Sequence, residues 1–312
     1  MIITHGSEPA PSRPVALTIG NFDGVHRGHE AIVARVRKVA EERRLVSCVL
    51  TFEPHPREFF APDTAPTRLT SMREKLELLS ALDIERVHVQ RFTPGFAALA
   101  PDAFVEETLS QKLRARWILV GDDFRYGAKR AGNYDTLSHR GKDLGFIVET
   151  MPTVADNGIR VSSSAVRNAL ATGDLERAWR LLGRRYTISG RVIHGQKLGR
   201  QLGYATANVE LEHNRPPLFG IYAVRVFGID RRSRDGVASL GYRPTVTNER
   251  TPTLEVHLFD FSADIYGVRV RVEFLVKLRD EEKFPDLEAL KVAIANDCVA
   301  ARRALLTFDG NH

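Results

Sequence analysis

The chain has 312 residues, 43% of them hydrophobic and 27% charged, enough for two soluble domains that each bury a core. Its net charge of +6 suits an anionic partner such as a nucleotide phosphate, but the basic residues form no long run, which argues against a nucleic-acid-binding tract. Two distant cysteines, Cys48 and Cys298, exclude a disulfide framework and a thiolate zinc site. No run reaches the roughly 18 apolar residues of a membrane span and no signal pattern opens the chain, so the expected compartment is the cytoplasm, with both cysteines reduced.

In chain order, "VALTIG" (15–20) predicts a strand, followed by a helix with Ile32, Val33, Val36, Val39 and Ala40 on one face. "LVSCVLTF" (45–52) predicts a buried strand. "SMREKLELLSALD" predicts a helix, with Ser71 as N-cap and Glu74 completing a capping box. "RVHVQRF" (86–92), "WILVG" (117–121) and "FIVETMPTV" (146–154) read as further strands, and "PDAFVEETLSQKLRA" as a helix opened by proline. Alternating strands and helices predict a parallel sheet covered on both faces, with ligands outside the carboxyl ends of its strands.

A helical stretch spans 162–183, and then the pattern changes. "YTISGRVI", "GIYAVRVFGI", "TLEVHLFDF" and "YGVRVRVEFLVKL" alternate with period two, which predicts an antiparallel barrel or sandwich. Val268, Val270, Val272, Phe274 and Val276 fall on one face of the last strand. A terminal helix groups Leu287, Leu290, Ile294, Cys298, Ala301 and Leu305. The expected division is 1–183 and 184–312.

"NFDGVHRGHE" (21–30) sets His26 and His29 three apart where a strand gives way to a helix. They could ligate a metal with Asp23, cap the helix, or donate hydrogen bonds to phosphate oxygens at the helix mouth. With its neighbours, "GNFDGVHRGH" resembles the His-x-Gly-His signature of nucleotidyltransferases. Adding "TFEPHPREFF", "GDDFRYG" and "VSSSAVR", residues 15–183 resemble the adenylyltransferase half of the bacterial bifunctional riboflavin kinase/FAD synthetases. The resemblance implies a Rossmann-like domain in which His26 and His29 hold ATP while the FMN phosphate attacks its α-phosphorus. It also implies that Gly24 lies in the phosphate turn, that Asp123 positions nucleotide or flavin phosphate, and that Ser163, Ser164 and Arg167 bind the triphosphate. Ser164 stands where that family usually has threonine, and Asp123 where many members have asparagine.

"GQKLGRQLGYATANV" (195–209) is on its pattern an ordinary Gly-rich loop without the P-loop spacing. It resembles the riboflavin kinase signature ending Pro-Thr-Ala-Asn, with Ala205 at the proline. The resemblance implies Thr206 and Asn208 as ligands of Mg²⁺, Lys197 and Gly199 at the ATP phosphates, and Glu255 as catalytic base in a barrel domain. "GYRPT" and "KLRDEEKF" match segments near the flavin, which places Arg279 there. Alternation leaves Glu255 and His257 on the face opposite Leu254, Val256 and Leu258. The implied function is phosphorylation of riboflavin to FMN and adenylylation of FMN to FAD and pyrophosphate. Flavin-requiring apoproteins would receive the products, and no nucleic-acid or membrane partner is expected.

Overall fold

The computed structural model describes residues 1–6, 8, 10–195, 203–212, 215–243 and 251–310. They form two compact units, one of Met1–Pro66 with Met72–Ser162 and one of Thr67–Ser71 with Ser163–His312.

In the first unit, six strands build one parallel sheet: β1 (Ile2–His5), β2 (Val15–Ile19), β3 (Val46–Glu53), β4 (Arg86–Arg91), β5 (Ala115–Gly121) and β6 (Ile147–Met151). Their order is β1-β4-β3-β2-β5-β6. The helices are α1 (Arg27–Glu42), α2 (Pro56–Phe60), α3 (Met72–Ala81), α4 (Pro94–Ala97), α5 (Pro101–Ala103) and α6 (Tyr134–Leu144), and a small hairpin joins β7 (Ala155–Asp156) to β8 (Ile159–Arg160). All five residues of β2 are buried, as a central strand covered on both faces requires. Val15, Leu17 and Ile19 enter one core cluster with Leu109, Ile118 and Leu137. Ala16 enters the other, with Val33, Val36 and Val39 of α1 and with Trp117. Each such aliphatic side chain removed from water contributes about 1.5–3 kcal/mol. The chain leaves β2 toward β3 and β4 on one side, then returns to β5 on the other. A crevice therefore opens at the carboxyl ends of β2 and β5.

Two local features depart from the sequence expectation. The single helix expected after Pro101 is a short α-turn that passes into a π-helical stretch, Phe104–Lys112. The edge strand β1 carries no signal, because Ile2 and Ile3 stay exposed and do not alternate with buried residues.

The second unit holds α7 (Ser163–Ala171), α8 (Leu175–Leu182), strands β9 (Thr187–Ile193), β10 (Ala207–Val209), β11 (Gly220–Phe227), β12 (Arg234–Arg243), β13 (Thr251–Leu258) and β14 (Arg269–Arg279), and the terminal helix α9 (Leu287–Gly310). The stretch expected as one helix breaks at Gly173, whose φ of 77° ends α7. Asp174 then caps α8 by accepting from the Arg177 N–H at 2.9 Å. The strands close into a barrel, β10-β13-β12-β11-β14-β9, with every pair antiparallel.

Val270, Val272 and Phe274 keep the predicted alternation, but Val276 does not. A register shift pairs Ala223 with Val276 and Val224 with Phe274, leaving Leu275 as an extra residue. Leu275 and Val276 consequently both pack beneath α9, with Ile221, Ala223, Ala301 and Leu305. Leu287, expected on the packed face of α9, is exposed because it begins the first turn. The Arg185 guanidinium lies 4.7 Å from the Trp179 ring and 4.6 Å from the Phe308 ring, linking the end of α8 to α9. Both cysteines are free thiols, and burial pushes that of Cys48 up to about 12. Among the described residues no helix is long and apolar enough to cross a membrane.

Candidate active sites

His26 is the N-cap of α1, and its Nδ1 accepts from the His29 N–H at 3.3 Å. A neutral imidazole that accepts at Nδ1 carries its proton on Nε2, so the cap itself selects a ring able to donate at Nε2. Capping and phosphate donation are therefore compatible in one residue. The two rings stack at 3.7 Å and 13°, and Phe22 lies 4.7 Å from His29. Leading into the helix, Phe22, Gly24 and Val25 have φ of 48°, 81° and 38°. Glycine accepts such a conformation freely. At a Phe or a Val it stores strain of about 1–3 kcal/mol, which surrounding structure must hold. The described residues contain no group of three or more His, Cys, Asp or Glu able to hold a metal, so the reading of the pair with Asp23 as metal ligands gains no support.

Asp123 follows β5, the strand beside β2, so both predicted motifs of this unit lie at the same edge of the sheet. Its carboxylate is exposed and takes an ion pair from Arg160 Nη2 at 2.8 Å. Thr153 Oγ1 donates to the neighbouring Asp122 at 2.9 Å. Ser163, Ser164 and Arg167 occupy the first turns of α7 in the second unit, where Arg167 Nε donates to the Thr67 carbonyl.

The motif reading omitted an aromatic cluster following β3 and β4. Phe92 stands 5.3 Å from Phe59, 5.7 Å from Phe60 and 5.6 Å from Phe96, all edge-to-face, and Phe60 is exposed. The sequence signal for it is the five phenylalanines within "FEPHPREFF" and "RFTPGF".

On the barrel, Asn208 of β10 pairs directly with Glu255 of β13, and Thr206 Oγ1 donates to Glu255 Oε2 at 3.4 Å. The alternation expected for β13 holds, with Leu254, Val256 and Leu258 buried and Glu255 and His257 between them less so. Two further residues shape this corner. His257 Nδ1 donates to the Ala205 carbonyl at 2.9 Å. Gly195 passes so close to Asn208 that a Cβ there would collide with its side-chain amide. Lys197 and Gly199 lie outside the described residues, as do Pro244 and Thr245 of "GYRPT". Arg279 makes a two-pronged pair with Asp297 of α9, at 2.8 and 2.7 Å, and that hydrogen bonding raises its already high pKa.

The two halves match separate family models, FAD synthetase over residues 8–165 and riboflavin kinase over 182–305. The bifunctional riboflavin kinase/FMN adenylyltransferase of Pseudomonas fluorescens is 50% identical over 298 residues, covering 96% of this chain and 95% of that protein. The chain belongs to the bifunctional riboflavin kinase/FMN adenylyltransferase family. The member from Escherichia coli K12 is 45% identical over the same shares. A solved structure described as a macrolide-efflux protein from Streptococcus pneumoniae superposes with a TM-score of 0.81, at 28% identity, over 95% of this chain and 97% of that one. As a riboflavin kinase/FMN adenylyltransferase, the enzyme uses ATP twice, first on riboflavin to make FMN and then on FMN to make FAD.

Proposed function

We propose that the two reactions use separate residues, adenylylation drawing on 1–183 and phosphorylation on 184–312. In phosphorylation, Glu255 takes the proton of the terminal ribityl hydroxyl as that oxygen attacks the γ-phosphorus and ADP leaves. The Thr206 hydroxyl and Asn208 amide are hard, neutral oxygen donors beside a carboxylate, a set that fits Mg²⁺ completed by water and phosphate oxygens. The ion, when bound, neutralises charge on the β- and γ-phosphates. His257 holds the backbone from which Thr206 projects. Lys197 and Gly199 are assigned to the ATP phosphates, and Arg279 to the flavin side, where its pair with Asp297 fixes β14 against α9.

In adenylylation, an FMN phosphate oxygen attacks the α-phosphorus of ATP and pyrophosphate leaves. His26 donates from Nε2 to phosphate oxygens, and His29, stacked on it, adds a second imidazole at the helix mouth. Gly24 allows the turn to approach the nucleotide. Asp123, its charge offset by Arg160, positions the nucleotide or flavin phosphate. The hydroxyls of Ser163 and Ser164 and the Arg167 guanidinium suit polyphosphate oxygens. The exposed ring of Phe60, set edge-to-face against Phe92, offers an apolar face that suits stacking on an isoalloxazine ring. We place both reactions in the cytoplasm, with flavin-requiring apoproteins as recipients and without a nucleic-acid or membrane partner.

The convergence of Thr206, Asn208 and Glu255 carries this reading. Its test is chromatography of flavin products after the purified enzyme meets riboflavin and ATP, with and without Mg²⁺. FMN and FAD should both accumulate with Mg²⁺ and neither without it. Undiminished FMN formation after exhaustive chelation would remove the metal role of Thr206 and Asn208.

A further inference from the structure

We propose that the outer face of α9 docks antiparallel against α9 of a second copy of this chain. The helix buries Ala301 and Leu305 against the barrel, while Val292, Val299 and Leu306 are 59%, 69% and 78% exposed. These three are seven residues apart, two helical turns, so they form one stripe about 21 Å long. Leu306 and Val299 are the two most exposed large apolar side chains among the described residues, so this is not scattered surface apolarity. Alongside the stripe runs a groove of about 690 Å³, floored by Val276, Ala304 and Phe308.

Charge selects the occupant and its direction. Glu288 lies one turn before Val292 and Arg303 one turn after Val299, so both flank the stripe on its own face. Both are exposed, and neither has an ion-pair partner among the described residues. Adjacent Arg302, by contrast, is held by Asp260 at 2.9 and 3.0 Å. A two-fold axis between Ala295 and Asn296 sets Val292 on Val299 of the other copy and Glu288 on Arg303, each contact occurring twice. Leu306 then approaches Pro285. At the axis, the small Ala295 allows close approach and the Asn296 amides can bond to one another. A parallel arrangement would oppose Glu288 to Glu288 and Arg303 to Arg303. The stripe is thus complementary to itself in one orientation, which a surface for an unrelated partner need not be. One helix pair buries less than the roughly 1,000 Å² of a stable interface, so the dimer should be weak, with Kd on the order of micromolar. No residue assigned to either reaction takes part.

Sedimentation velocity of the full chain over ~1–100 μM tests this. The expected result is a monomer–dimer equilibrium that Val299→Lys abolishes while flavin turnover is unchanged. Glu288→Arg and Arg303→Glu should each weaken the dimer roughly tenfold or more, and the chain carrying both should recover. A monomer throughout that range, a dimer indifferent to Val299→Lys, or a double variant no better than the singles overturns the proposal. Capture of a different protein by this face of a monomeric chain does so too.

Discussion

Asn208 and Glu255 face each other across the β10–β13 ladder, and the Thr206 hydroxyl reaches the same carboxylate at 3.4 Å. An amide, a hydroxyl and an acid thereby meet on the outward face of strands whose inward face is fully apolar. Glu255→Gln preserves size and hydrogen bonding but removes the base. Riboflavin phosphorylation should fall roughly 10²–10⁴-fold. FAD made from supplied FMN should continue at its normal rate, and separation of the flavin products reads both.

The histidine pair predicts the opposite pattern. His29→Ala should abolish FAD formation and leave FMN formation intact. His26 requires a finer dissection, because it also caps α1. His26→Ala should cost about 0.5–2 kcal/mol in stability together with adenylylation. His26→Asn keeps a capping acceptor without the Nε2 donor, so thermal unfolding should stay near wild type while adenylylation is lost.

Between Gly195 and His257, the Thr206–Asn208 segment is held from two sides. His257→Ala removes one neutral hydrogen bond, worth about 1 kcal/mol. KM for Mg–ATP in the kinase reaction should rise roughly fivefold, with a smaller change in kcat. Gly195→Ala must displace the Asn208 amide and should reduce kinase activity more severely, with adenylylation of supplied FMN as the internal control.

His88 gives a pH prediction independent of either reaction. It is buried on β4, where its Nδ1 lies 3.0 Å from Thr4 Oγ1. Burial first, and the Lys112 charge second, lower its pKa to about 4. The folded ring stays neutral in a range where the unfolded ring, with its ordinary value of about 6.5, binds a proton. Stability is therefore greatest above about pH 6.5 and falls as pH drops toward 4, by about 3 kcal/mol from this residue. Denaturant midpoints of wild type and His88→Asn, compared at about pH 7 and about pH 5, should show a smaller acid-side loss in the variant.

What the sequence made legible follows from where a side chain's pattern is set locally. Val33, Val36, Val39 and Ala40 declare α1 by their spacing, and Leu254, Val256 and Leu258 declare β13 with Glu255 turned outward. Val276 misled because the extra residue at Leu275 is a property of pairing with β11, which no period along one strand contains. β12, with two glycines, a serine and three charged residues in "RDGVASLGYR", lacks the alternation that marks its neighbours. At the sites, His26 and His29 stood out by spacing among glycines. The bond from His257 to Ala205 is invisible in sequence, since it joins positions 52 residues apart.

β10 is the shortest stave of the barrel, three residues between longer partners, and it carries Asn208. Few ladder bonds restrain it, whereas β11 and β14 pair along most of their length. Amide protons of Ala207–Val209 should therefore trade with solvent deuterium through local opening, well ahead of those in β11 and β14. A nucleotide seated on this stave would slow that trade at the seam itself, making barrel closure and substrate capture one equilibrium.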